Sequence, residues 1–120
     1  MTDAFAETPD AMLARAVACH QGGQLAEAES LYRTVLANDP RNADALHYLG
    51  LLGLQTGHVA AAEELLANAA QLAPGEPVLL NNWGIALARL GRLGEARARF
   101  ETAVDRGPGY ADALADASRP

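Results

Sequence analysis

Apolar residues recur along this chain at helical spacing, in short stretches divided by glycine and proline. The pattern is clearest between Pro77 and Pro108. Leu80, Trp83, Gly84 and Leu87 stand at i, i+3, i+4 and i+7, which forms one stripe on a helix of about 3.6 residues per turn. Gly91 ends that helix, because a helix end favours a left-handed residue and glycine adopts that conformation without steric cost. Leu93, Ala96, Phe100, Ala103 and Val104 make a second stripe. Gly107-Pro108 closes it, since proline has no amide hydrogen with which to extend a helix. The stretch predicts a helical hairpin.

The same grammar predicts two hairpins before it. Thr8-Pro9-Asp10 reads as a helix start, with threonine capping and proline at the first helical position, and the helix runs to about Gln21. Gly22-Gly23 makes the turn into a second helix from about Leu25 to Asn38. Asp39-Pro40-Arg41-Asn42 links it onward, with Asn42 as a cap. Further helices are expected over about Ala43–Thr56 and Val59–Leu72, followed by the linker Pro74-Gly75-Glu76-Pro77. Links this short leave consecutive helices to pack antiparallel.

The three hairpins are copies. Pro40, Pro74 and Pro108 are 34 residues apart at each step. Gly23, Gly57 and Gly91 share the step, as do Ala28, Ala62 and Ala96, and the apolar columns Leu25/Val59/Leu93, Tyr32/Leu66/Phe100 and Met12/Leu46/Leu80. In period and in its helix–turn–helix pattern the chain resembles the tetratricopeptide repeat family over residues 9–108. The resemblance implies an all-α, right-handed α-solenoid of three helix-turn-helix repeats plus a short C-terminal helix. The expected division is an N-terminal flexible segment (1–8), repeats at 9–42, 43–76 and 77–108, and a truncated fourth repeat or capping helix (109–120). Gly50 and Gly84 stand mid-helix, where glycine costs about 0.8–1 kcal/mol relative to alanine. In the family that position marks the closest approach of the two helices of a repeat, and Ala16 occupies it in the first unit.

Composition narrows the function more than the fold. The 120 residues are half hydrophobic and carry a formal charge of −6. That sign argues against nucleic acid, whose recognition needs a basic stripe to displace counterions. All nine basic residues are arginine, which reads as the coding bias of a GC-rich genome and points to bacteria. A single cysteine, Cys19, excludes an internal disulfide; it stands where the family often has tyrosine and reads as a small buried apolar residue. Residues 1–8 show no signal-peptide pattern, and no apolar run is long enough to span a membrane. The expected compartment is the cytoplasm.

Catalytic chemistry finds no foothold, and no cofactor or metal is expected. His20, His47 and His58 include no pair at the i, i+4 spacing of a helical metal site. Ser30 and Ser118 lie outside any nucleophile-elbow context. Glu63-Glu64 and the pair Glu27, Glu29 read as solvated helix faces, since paired carboxylates need an enclosed cleft to shift their pKa values.

The resemblance instead implies a protein or peptide ligand, held in the groove formed by the first helix of each repeat. The family's groove positions fall on Leu13, Val17, His20, Asp44, His47, Tyr48, Leu51, Gln55, Asn81, Asn82, Ile85 and Arg89. One subgroup grips the C-terminal carboxylate of chaperone tails with a lysine–asparagine clamp; here those places hold Leu13, Val17, Tyr48, Val78 and Asn82, so the clamp is missing. Asn82-Trp83-Gly84 is similar to the repeats of O-linked N-acetylglucosamine transferase and its bacterial relatives, where an asparagine in that place binds peptide backbone. The ladder is interrupted, with Tyr48-Leu49-Gly50 and Ala14-Arg15-Ala16 in the other units. The expectation is a non-catalytic binding scaffold within a larger bacterial protein such as a glycosyltransferase. The alternative is a self-assembling module that forms homo-oligomers through an uncovered edge at Trp83, Leu87, Phe100, Tyr110 and Leu114.

Overall fold

Thr8 begins the first helix as its sequence predicts: its hydroxyl oxygen accepts from the Ala11 amide at 3.1 Å, and Pro9 occupies the first helical position. The computed structural model describes residues 7–107. Six helices follow in order, α1 (Pro9–Gln21), α2 (Leu25–Asn38), α3 (Ala43–Gln55), α4 (Val59–Leu72), α5 (Pro77–Arg89) and α6 (Leu93–Arg106). Asn42 caps α3 by accepting from the Ala45 amide at 3.0 Å. Glu7 and Thr8, expected in a flexible segment, are instead tied to α1. Glu7 pairs with Arg15 at 2.6 Å.

The turn inside each hairpin is the same motif three times. Gly23, Gly57 and Gly91 take φ of 84, 86 and 81°. The next amide then reaches back across the turn: Gln24 to the Cys19 carbonyl (2.8 Å), His58 to Gly53 (2.8 Å) and Arg92 to Leu87 (2.9 Å). These are the six-to-one bonds of a Schellman turn, which occupy carbonyls that a helix end otherwise leaves unpaired. The residue that closes one helix therefore also opens the next.

Within each hairpin the two helices meet at positions sixteen residues apart. A Cβ on Gly50 would lie 2.8 Å from Leu66 Cγ, and one on Gly84 would lie 2.5 Å from Phe100 Cε1. The equivalent pair in the first hairpin is Ala16 and Tyr32, both fully buried. Such distances are well inside carbon–carbon contact at about 3.5–4.0 Å, so the missing side chain permits the approach and packing outweighs the propensity loss.

The core runs through the stack instead of occupying one centre. One cluster joins Ala16, Ala28 and Tyr32 of the first hairpin to Leu49 and Leu52 of the second. Another joins Leu46, Leu54, Ala62, Leu66, Ala69 and Ala70 to Leu79 and Ala86 of the third. Each helix pair packs on the next, as neighbour-only contact requires in a solenoid, and the molecule extends over 52 × 26 × 24 Å.

Three assignments made from the sequence are corrected here: Leu93, Val104, which is 41% exposed, and Cys19. Leu93 is 66% exposed. Its counterparts Leu25 and Val59 pack against clusters that include the following hairpin, and Leu93 has no following hairpin among the described residues. Cys19 is half-buried against the first cluster instead of fully enclosed, and no helix precedes α1 among the described residues.

Candidate functional site

Three hydrogen bonds join the first helices of successive hairpins, and each spans 35 residues. His20 Nε2 lies 2.6 Å from Gln55 Oε1, Asn82 Nδ2 lies 2.9 Å from His47 Nε2, and Arg89 donates to the Leu54 carbonyl at 3.0 Å. A repeat of 34 puts equivalent residues in line; one residue more reaches the neighbour's facing side. Gln55 and Arg89 are equivalent positions, so the same contact is made at both boundaries with different chemistry.

The protonation states follow from burial. Tyr32 is fully enclosed, and desolvation pushes its hydroxyl up to about 12, so it donates to His20 Nδ1 at 2.9 Å. Gln55 Oε1 can only accept, so the contact at His20 Nε2 is one in which the ring N–H donates. Burial holds His47 below its ordinary value, against the opposing pull of Asp44 and Glu76. A neutral His47 accepts at Nε2 from the Asn82 amide.

Aromatic rings continue this network. Tyr32 and Tyr48 stack at 5.9 Å with their planes 5° apart, and the His47 and Tyr48 rings lie 6.0 Å apart with their planes 14° apart. Stacked pairs of this kind hold their rings in one orientation, which fixes Tyr48 as a wall of the groove. Val17, His20, Gln21, Tyr48, Leu51 and Gln55 together line a cleft of about 340 Å³. No charged side chain lines it.

Five of the twelve groove positions read from the sequence thus meet in one cleft, and Gln21 joins them unforeseen. Asp44 and His47 line a separate recess of about 130 Å³ with Glu76 and Val78. Leu13 and Ile85 are partly buried against the core clusters. Asn81 is half-buried. Asn82 has its amide nitrogen engaged by His47, and Arg89 has its guanidinium engaged by the Leu54 carbonyl.

The proposed self-association edge is redrawn. Leu87 is only 1% exposed, sealed inside its hairpin. Trp83 faces back toward α4: its indole N–H donates to Glu63 Oε2 at 2.8 Å, and Arg99 stacks on its ring at 4.8 Å. Phe100 packs its ring against Gly84 and stays partly exposed, lining an open depression with Glu101, Val104 and Asp105. Tyr110 and Leu114 lie outside the described residues. Glu63, read as solvated, is mostly covered and also meets Arg92 at 3.4 Å; the sequence offered no sign of this, because its partners lie one hairpin away.

Among the described residues no group of three His, Cys, Asp or Glu side chains could hold a metal ion. No helix among them is long and apolar enough to cross a membrane.

Helical hairpins stacked by neighbour contact define an α-solenoid, a class that displays surfaces instead of enclosing a reaction. The tetratricopeptide repeat model matches residues 2–40, 22–77 and 81–119, and the chain belongs to the tetratricopeptide repeat family. It is 31% identical over 107 residues to a TPR repeat-containing protein of Pseudomonas aeruginosa, covering 88% of this chain and 18% of that one. Among solved structures it is similar to an O-GlcNAc transferase of Thermobaculum terrenum, with 31% identity, a TM-score of 0.81, and coverage of 85% of this chain and 20% of the other. The first TPR of Spaghetti (RPAP3), solved with an HSP90 peptide bound, shares the fold at 20% identity and a TM-score of 0.79, over 83% of this chain and 79% of that one. The chain thus spans about a fifth of the first two. Tetratricopeptide repeats are in general a non-catalytic fold for binding proteins and peptides.

Proposed function

We propose that this chain is a scaffold that binds an extended peptide segment of a partner protein across the face of α1, α3 and α5. The observation that carries the reading is the uncharged cleft of about 340 Å³ between α1 and α3, walled by the Tyr48 ring and by Val17 and Leu51. Its polar rim of His20, Gln21 and Gln55 can hydrogen-bond backbone, while its apolar walls suit a side chain without charge. Asn82 keeps an oxygen for the same ligand after giving its nitrogen to His47. Four of the five carboxylate-clamp places hold Leu13, Val17, Tyr48 and Val78, which counts against a C-terminal acid tail as the ligand.

The setting that best suits the module is the repeat region of a larger bacterial, cytoplasmic protein, such as a glycosyltransferase, to which it brings substrate or partner. The short coverage of its relatives and the O-GlcNAc transferase likeness support that reading. A second reading, homo-oligomer formation through the outer side of α6, is favoured by one observation: Val104 is 41% exposed beside Phe100.

Peptides selected on the chain from a random display library test the first reading. Tyr48→Ala should weaken them about tenfold or more, the loss of roughly 1.4 kcal/mol expected at least of an aromatic anchor, with helicity retained. Undiminished binding would move the site off the groove. Light scattering over a wide dilution range tests the second, with Val104→Asp as the variant expected to abolish any dimer.

A further inference from the structure

On the face carried by the second helices, a cleft of about 310 Å³ opens between α4 and α6, with Leu80 and Trp83 of α5 in its lining. Arg99, Thr102 and Arg106 border it from α6; Gln71 and the Pro74-Gly75 turn border it from the other side. This face is remote from the groove residues of α5, since Asn81, Ile85 and Arg89 lie on the far side of that helix from Leu80 and Trp83 at about 100° per residue.

Most other arginines among the described residues are engaged. Arg15, Arg33, Arg92 and Arg97 pair with carboxylates, and Arg89 is bound to a carbonyl. Among the described residues only Arg41, Arg99 and Arg106 have neither partner, and two of these three line this one cleft. The Arg99 guanidinium carbon lies over the Trp83 ring, 4.8 Å from its centroid, which holds the cation at the cleft, and its N–H groups make no hydrogen bond or ion pair among the described residues. Arg106 lies over Gly75, its NH1 3.3 Å from where a Cβ would stand, so any larger residue there would displace it. In a chain of net charge −6, the lining of this cleft holds two cations and no carboxylate. The nearby Glu63 is taken up by the Trp83 indole and Arg92, and Glu95 by Arg92, with Arg99 adding to the field that lowers its pKa.

We propose that this cleft is a second binding site, for an acidic peptide segment of a partner protein in which a leucine- or phenylalanine-sized side chain is flanked by carboxylates. The planar guanidinium matches a carboxylate with two parallel N–H bonds. The Leu80 and Trp83 surface takes the apolar side chain. Gln71 can donate to or accept from backbone groups, and Thr102, whose hydroxyl donates to the Ala98 carbonyl at 2.9 Å, can accept a backbone N–H.

Trp83 is the only tryptophan, so the site reports its own occupancy. The full chain is titrated with short capped peptides carrying one Leu or Phe among Asp and Glu, with their Asn/Gln counterparts, with inorganic phosphate, and with a peptide copying residues 109–117. Tryptophan fluorescence should change saturably with the acidic peptides. Arg99→Gln and Arg106→Gln should each weaken binding about tenfold, the loss of one charge-assisted pair, and Arg41→Gln should leave it unchanged. Four outcomes would overturn the proposal: no saturable change with any acidic peptide, an equal response to the Asn/Gln set, an equal response to phosphate, or equal weakening by Arg41→Gln. A response confined to the copy of residues 109–117 would also overturn it, by making the occupant a segment of this chain.

Discussion

The carboxylate of Glu63 and the indole of Trp83 meet across the boundary between the second and third hairpins, at 2.8 Å. Glu63 also receives Arg92, so one side chain from α4 holds both helices of the next unit. With its side chain only 13% exposed, the bond is worth more than a surface pair. Glu63→Ala leaves a half-buried indole N–H unpaired and should cost about 1–3 kcal/mol. Glu63→Gln keeps an acceptor for the indole and should cost less. Chemical denaturation followed by Trp83 fluorescence measures both; equal losses would mean that the hydrogen bond to the indole contributes nothing.

Two glycines on helices predict opposite signs. Gly84→Ala puts a Cβ against the Phe100 ring, and over-packing of this sort costs about 1–3 kcal/mol, more than the gain of about 1 kcal/mol in helix propensity. Gly94 has nothing within 4 Å of its would-be Cβ, so Gly94→Ala should gain up to about 1 kcal/mol. Thermal unfolding of the two variants should therefore move in opposite directions from wild type.

His20 and Tyr32 should behave as a coupled pair. Removing His20 strands the hydroxyl of a fully buried tyrosine, at a cost of about 1–3 kcal/mol. Tyr32→Phe added to His20→Ala removes the stranded group, so the double variant should be less destabilised than the sum of the singles. A double-mutant cycle in urea gives the coupling directly; strict additivity would show that the two do not interact.

The pH dependence follows from His47. Its folded pKa is depressed below 6.5 by burial, so the unfolded chain binds more protons in the window below that value. Stability contributed here is complete above about pH 6.5 and is lost as pH falls through the folded pKa. Glu7 and Glu95, held below 4.5 by Arg15 and Arg92, lose their contributions only at lower pH. Urea midpoints should fall between pH 7.5 and 5.5 (pH values chosen about one unit on either side of the ordinary histidine range). His47→Gln should flatten that slope, because glutamine offers Asn82 an acceptor that does not titrate. An unchanged slope would place the sensitivity elsewhere.

Helix order, turn position and the Gly50 and Gly84 contacts were all legible in the chain. Each arises from interactions within one 34-residue unit, and three copies of the unit repeat the same message at known offsets. The caps at Thr8 and Asn42, and the glycines with positive φ, are local as well: the residue and its next few neighbours contain the whole cause. What only the tertiary structure decided lies between units. Glu63 looks like any solvated glutamate until α5 and α6 bring Trp83 and Arg92 to it. Trp83 reads as an outer residue until its ring is seen turned back toward α4. Gln55 and Arg89 share one position, yet the first meets a histidine side chain and the second a backbone carbonyl. Arg99 and Arg106, seven residues apart, share a face of α6 by spacing alone, but that this face meets the α4–α6 cleft is decided by how the helices are rotated against each other. Rotation and spacing between hairpins come from the summed packing of many small side chains, and no single offset in the sequence carries that sum.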